Sequence, residues 1–203
     1  MRAAQEFLAE EKIAQIEGWT VSGGSKRGWT TWMVGATECE SCAAKVLAIA
    51  PVVPIVPDIH KDVHRMWQSY NAFTFAFQPY IDADLMGKMD DPNMLEIFKI
   101  VDPINFIDRL EKIPKFFFVS SDDQFMSFDW TNIGYYDEMK GEKHLLIKSN
   151  AEHSMSTGLY TVMSVYGTMV RSLAAGITKR PTINYQYNDE NGDLSVTIPA
   201  DQV

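Results

Sequence analysis

Cysteine is scarce in this chain of 203 residues: there are two, Cys39 and Cys42, in a single C-x-x-C within TECESCAAK. One pair excludes a disulfide framework, and thiolate-bound zinc would need a second ligand pair that the sequence lacks. The motif is read as a loop pair, either a local disulfide or two free thiols. Long apolar runs are also missing. The longest, VLAIAPVVPIV at 46–56, falls short of the ~20 residues of a membrane-spanning helix and is broken or bordered by Pro51, Pro54 and Pro57. No run of five or more like charges occurs, and the net charge is -9. Nucleic acid and anionic membrane surfaces are therefore excluded as main partners. Neither a dinucleotide fingerprint nor a P-loop is present, so no organic cofactor is expected. The N-terminus, MRAAQEFLAEEKIAQIEG, is amphipathic and acidic, unlike the apolar core of an export signal.

What is present is a composition of 46% hydrophobic and 22% charged residues, that of one globular domain able to bury roughly 70% of its unfolded surface. Apolar spacing predicts a helix over 2–16 stopped by Gly18, a short buried strand at 19–23, and a helix after Ser25 that ends at Gly35. KVLAIAPVVP reads as a strand covered on both faces. From Asp58 to about Leu95 the pattern turns aromatic and irregular. Asp102 and Pro103 then open a helix that closes before Pro114. KFFFVSS at 115–121 and KHLLIKS at 143–149 read as strands, with a helix over 130–141 between them, capped by Gly141, and a long helix over 156–176 after them. The tail alternates around Asn191-Gly192, a hairpin signal. The order predicts an α/β fold with a parallel sheet and an appended β-hairpin.

Ser25 stands at the strand-to-helix turn in GWTVSGGSKRGWTTW. A serine there projects above the sheet near the positive end of a helix, with the next backbone N–H free to stabilise an oxyanion. The pattern is G-x-S-x-x-G, one residue longer than the usual nucleophile elbow. Serine chemistry also needs a later acid and then a histidine, each after a strand. KFFFVSS runs into Asp122 and Asp123, and KHLLIKS runs into NAEHSM, which carries His153. Asp123 is preferred as the acid because it lies farther out on the loop, with Asp122 and Asp129 as alternatives. These ends share the carboxyl edge of the expected sheet, where open α/β folds bind ligands. His60 and His64 have a spacing that suits metal on one helical face, but no third ligand accompanies them at a fixed spacing, so no metal is expected.

The segments VSGGSKRGWTTWMVGA, AIAPVVPIV, HRMWQSYNAFTFAFQPY, KIVDPINFIDRLEKIPKFFFVSSDDQF and GEKHLLIKSNAEHSM resemble the PhoPQ-activated pathogenicity-related family. The resemblance implies an α/β-hydrolase fold, with Ser25, Asp123 and His153 at the positions of its triad. It implies residues 1–180 as the C-terminal half of a hydrolase sheet, 58–100 as a cap-like insertion, and 181–203 as the start of a further β segment. Only one helix precedes Ser25, so strands of a longer chain, or a second copy in a homodimer, are expected to cover the first strand's edge. A more distant likeness to glucuronoyl esterases, whose elbow also has a basic residue after the serine, implies that Lys26 helps hold the oxyanion. The family is generally secreted or cell-surface, and its amoebal branch is associated with an autocrine signal that represses proliferation. The resemblance thus leaves two roles open: hydrolysis of a small-molecule or peptide substrate, or recognition by a cell-surface receptor with the triad vestigial.

Overall fold

The computed structural model describes residues 1–37, 45–54, 57–125, 135–178, 180–181 and 183–198. They form α1 (Arg2–Glu10), β1 (Trp19–Gly24), α2 (Lys26–Ala36), β2 (Val46–Val52), α3 (Ile59–Tyr70), α4 (Gln78–Asp82), α5 (Pro92–Val101), β3 (Lys115–Ser120), β4 (Lys143–Lys148), α6 (Leu159–Ala174), β5 (Asn184–Tyr187) and β6 (Leu194–Thr197), with short 3-10 turns between them. Four strands make one sheet in the order β1-β2-β3-β4, every neighbour parallel. The α/β class expected from the sequence is the observed one. Parallel neighbours require crossovers, which α2 supplies between β1 and β2 and the insertion supplies between β2 and β3. All four strands therefore end at the same edge.

The sheet holds because its middle is dry. Every residue of β3, KFFFVS, is buried, as expected of a strand covered on both faces. Trp32, Ala36, Ile49, Leu110, Phe117, Tyr135 and Met139 form its core. The Trp32 ring stacks on Phe117 at 5.1 Å and meets Tyr135 edge-on at 6.3 Å, contacts worth about 0.5–1.5 kcal/mol each beyond area burial. Gly35 lets α2 lie against the sheet, since a Cβ there would stand 2.9 Å from Ile49 Cγ2. Lys115 is buried in the same strand, and its Nζ donates to Leu110 O at 2.8 Å and Ile113 O at 3.0 Å. Burial, and then the nearby Lys143, pull its ammonium down to about 8.

The insertion has its own small core of Val63, Met66, Ala76, Phe77 and Met89. Polar ties fasten it to the sheet. Asp102 is buried and accepts from Asp58 N at 2.9 Å, Ile59 N at 2.6 Å and Ile104 N at 3.1 Å. One carboxylate therefore starts α3 and also caps the 3-10 helix Pro103–Leu110. Burial raises its pKa despite those three donors. Trp29 Nε1 donates to Val101 O at 2.7 Å, and Thr74 Oγ1 donates to Gln124 O at 2.5 Å.

Three expected helices differ. The first ends at Glu10 because Glu10 and Glu11 oppose the negative end of the helix, and Lys12 then turns the chain with φ 55. Residues 103–110 coil as a 3-10 helix, being short and rich in the weak helix formers Ile, Asn, Phe and Asp. Where a helix over 130–141 was expected, Tyr135–Glu138 form turns, and residues 130–134 lie outside the described residues. Gly141, with φ 76, is required by proximity, since a Cβ there would fall 1.8 Å from Glu111 O. Cys39 and Cys42 also lie outside the described residues.

The chain divides into two compact units, Met1–Tyr166 and Gly167–Val203, a division that falls inside α6. In the second unit β5 and β6 pair antiparallel, and every residue of both strands is exposed. Their turn closes with Gly192 N donating to Asn188 O at 2.8 Å. Among the described residues, no helix is long and apolar enough to cross a membrane.

Candidate active site

Three of the four strands lead, within five residues of their ends, to a reactive side chain. Ser25 follows β1 and is the N-cap of α2, with φ 57 and ψ -124. Such a backbone costs a non-glycine residue about 1–3 kcal/mol and persists only where its surroundings enforce it. Here Ser25 N donates to Val52 O at 3.0 Å, and Trp29 N donates to Ser25 O at 3.1 Å. Glycine is needed on either side for space. A Cβ at Gly23 would lie 2.6 Å from Arg27 O, and one at Gly28 would lie 3.1 Å from both Gly23 O and Pro54 Cα. The longer G-x-S-x-x-G spacing thus follows from how closely α2 passes β1 and the end of β2.

Asp123 lies three residues beyond β3. Its Oδ1 accepts from Phe125 N at 2.8 Å, and its side chain is fully buried. His153 lies on the loop after β4. That loop is laced to the end of β3: Asn150 N donates to Ser121 Oγ at 2.9 Å, Asp122 N to Ala151 O at 3.0 Å, and His153 N to Gln124 Oε1 at 3.1 Å. Glu152 adds a local brace, accepting from Ser154 Oγ and, at 2.6 Å, from Ser156 Oγ. Those hydrogen bonds hold its carboxyl down to about 2.

The structure brings Ser25, His153 and Asp123 together. His153 Nδ1 lies 2.9 Å from both carboxylate oxygens of Asp123, and its Nε2 lies 2.8 Å from Ser25 Oγ. The carboxylate can only accept, so Nδ1 carries the hydrogen there and Nε2 offers its lone pair to the serine hydroxyl. The Phe125 ring packs on the imidazole at 4.5 Å between centroids, and 12% of the His153 side chain stays exposed. Of the alternative acids, Asp122 accepts from Ser121 Oγ at 3.2 Å, away from the imidazole, and Asp129 lies outside the described residues.

Lys26 is the first residue of α2, so its backbone N–H is among the four that a helix leaves without an intrahelical partner. Its Nζ lies 5.4 Å from the Tyr80 ring centroid. A cavity of about 220 Å³ opens over Ser25 and His153, bordered by Lys26, Arg27, Ala76, Tyr80 and Phe125. Of these wall residues, sequence reasoning singles out Lys26 and reads the aromatic stripe at 67–80, which carries Ala76 and Tyr80, as a cap of the cleft able to line a substrate pocket. The aromatic stripe that contributes Tyr80 was visible, but the sequence does not say which of its rings face the serine. Gln124 was missed as a support for His153, although it directly follows Asp123.

Solved structures of other proteins agree with this fold. An esterase of Pyrococcus furiosus superposes with a TM-score of 0.53 at 12% identity, over 84% of this chain and 59% of the esterase. The acylaminoacyl peptidase of Pyrococcus horikoshii superposes with a TM-score of 0.57 at 18% identity, over 87% of this chain and 27% of the peptidase. Both are α/β hydrolases, and the likeness extends to fold. In sequence, the chain is 31% identical over 208 residues to autocrine proliferation repressor protein A of Dictyostelium discoideum, covering 98% of this chain and 40% of that protein. It thus spans less than half the length of this relative. The match to the PhoPQ-activated pathogenicity-related protein family runs from residue 1 to residue 203, and the chain belongs to that family.

Proposed function

We propose that this chain carries the nucleophilic centre of a serine hydrolase acting on an ester or amide. The observation that carries the reading is the Ser25 Oγ to His153 Nε2 distance of 2.8 Å, with His153 Nδ1 on Asp123. Ser25 Oγ attacks the carbonyl carbon while its proton passes to His153 Nε2. Asp123 holds the imidazole in the needed tautomer and stabilises the imidazolium. The N–H of Lys26 donates to the oxyanion, and His153 then returns the proton to the leaving group as the acyl-enzyme forms. Water, activated by the same imidazole, releases the acid and restores Ser25.

The cavity, at about 220 Å³, suits a short acyl group better than a drug-sized ligand. Lys26 and Arg27 at its border favour a substrate bearing negative charge near the scissile bond. In α/β hydrolases the second oxyanion donor comes from a loop upstream of the elbow. Covalent labelling of the serine reads this centre directly, without depending on which ester or amide is the substrate. A fluorophosphonate probe is expected to label wild type, and to label neither Ser25→Ala nor His153→Ala. Equal labelling of wild type and Ser25→Ala defeats the reading.

The 31% identity to autocrine proliferation repressor protein A favours a second reading. On it, the protein is a secreted signal recognised at a cell surface, with the serine centre vestigial. Absence of serine-dependent labelling, together with saturable binding of the protein to the surface of cells, would support this second role over hydrolysis.

A further inference from the structure

Away from the serine centre, the insertion gathers two histidines and a carboxylate at one point. His60 and His64 lie one turn apart on α3, so both rings leave the same helical face. Asp90 comes from the turn just before Asp91, the N-cap of α5. His60 Nε2 stands 2.8 Å and His64 Nε2 2.9 Å from the same atom, Asp90 Oδ1. All three ligand atoms lie within 4.8 Å of one another, the only such group among the described residues. The two rings meet edge-on with centroids 4.5 Å apart.

We propose that His60, His64 and Asp90 form a binding site for a zinc-class divalent metal ion that ties α3 to the start of α5. Two imidazoles and one carboxylate are the donor set of three-ligand zinc sites, which leave a further position for water. Bonds of about 2.0–2.1 Å in a tetrahedral site separate ligand atoms by roughly 3.3 Å. Each Nε2 therefore needs to draw back from Asp90 by only about half an ångström, a small rotamer adjustment, and to give up its hydrogen.

The site opens on a shallow cavity of about 280 Å³ shared with Lys61 and Arg65. Those cations do not argue for an anion instead. Lys61 is paired with Asp58 at 2.7 Å, Arg65 has an interaction of its own, and both histidines point at a carboxylate that an anion would have to displace. The side chains of His60, His64 and Asp90 are 36%, 40% and 72% exposed, so a metal reaches them from solvent. The consequence of binding is mechanical. The segment between α3 and Asp90 carries Ala76 and Tyr80, which border the serine cavity, and a metal would close that segment into a clamped loop.

The test is equilibrium competition for Zn²⁺ between the full chain and a chromophoric chelator, in a Cys39→Ser/Cys42→Ser background that removes the thiols. One zinc per chain is expected there, and Co²⁺ is expected to give visible ligand-field bands free of thiolate charge-transfer absorption. Asp90→Ala and His64→Gln should each weaken binding at least tenfold, and His60→Ala/His64→Gln should abolish it. His153→Ala should leave it unchanged, which separates this site from the serine centre. Far-UV circular dichroism of each variant guards against misfolding, and His64→Gln conserves both size and hydrogen bonding. The proposal is overturned if no zinc binds in the thiol-free background, or if the histidine variants bind as wild type does.

Discussion

The sheet and the insertion are built by different rules. The sheet core is made of contiguous apolar strands whose backbones pair, and it exposes few large apolar side chains. The insertion core is a handful of Val, Met, Ala and Phe side chains, while Trp67, Tyr70, Phe75, Ile97 and Ile100 stay at least 48% exposed. Backbone pairing fixes the strand ends, and with them Ser25, Asp123 and His153. Side-chain packing and a few polar ties fix the insertion, and with it the cavity wall at Ala76 and Tyr80. The proposed chemistry therefore rests on the part fixed by backbone pairing, and the proposed substrate pocket takes its wall from the part fixed by side-chain packing, where methionine tolerates repacking.

The change with the largest expected effect breaks the rigid side of that contrast. Asp123→Asn should lower the rate of fluorophosphonate labelling at Ser25 by about 10⁴-fold, the scale known for the equivalent change in serine proteases. Circular dichroism should show a folded chain, because Asn retains an acceptor for Phe125 N. Labelling within tenfold of wild type would mean that the sheet edge does not orient His153 through this carboxylate.

A smaller effect is expected in the insertion. Asp102→Ala strips the acceptor from Asp58 N, Ile59 N and Ile104 N. It should cost about 1–3 kcal/mol in urea unfolding, as buried donors lose their partner. The same variant should label at Ser25 within about tenfold of wild type if the two regions are as separable as their packing indicates. A labelling loss as deep as that of Asp123→Asn would erase the distinction.

The smallest effect is one of pH. Lys115 titrates near 8 in the folded chain against a usual 10.5. Between those values the unfolded chain binds more protons than the folded one, so stability rises with pH across that window. Below about 8 the lysine is charged in both states and the burial penalty is constant. Urea midpoints of wild type and Lys115→Met, compared from pH 7.5 to 10, should diverge in favour of wild type as pH rises. Parallel curves would show that Lys115 keeps its ordinary pKa inside the sheet.

Much of this was readable beforehand where one periodicity dominated. KFFFVS could only be a covered strand, and Ser25, directly after β1, and Asp123, three residues after β3, inherit their positions from the strand ends. His153 was found through its order in the chain. Where two elements compete for the same residues the sequence said less. The helix ending at Glu10 was overrun because its apolar spacing continues past the acidic pair that stops it. The turn at Tyr135–Glu138 was read as helix because Tyr135 and Met139 have helical spacing, although their burial is set by Trp32 and Phe117. Asp90 was invisible as a companion of His60 and His64, since a turn carries no spacing that points to a helix face elsewhere.

The consecutive strand order has a geometric consequence for His153. Neighbouring strands lie about 4.8 Å apart, so the ends of β1 and β4, three places apart in the sheet, are separated by roughly 14 Å. Yet the imidazole reaches Ser25 at 2.8 Å. Residues 149–153 therefore act as an arch thrown across the ends of β3 and β2, with its footing on Ser121, Asp122 and Gln124. The length of an arch is set by its span. A residue added to or removed from this loop changes the reach of the histidine.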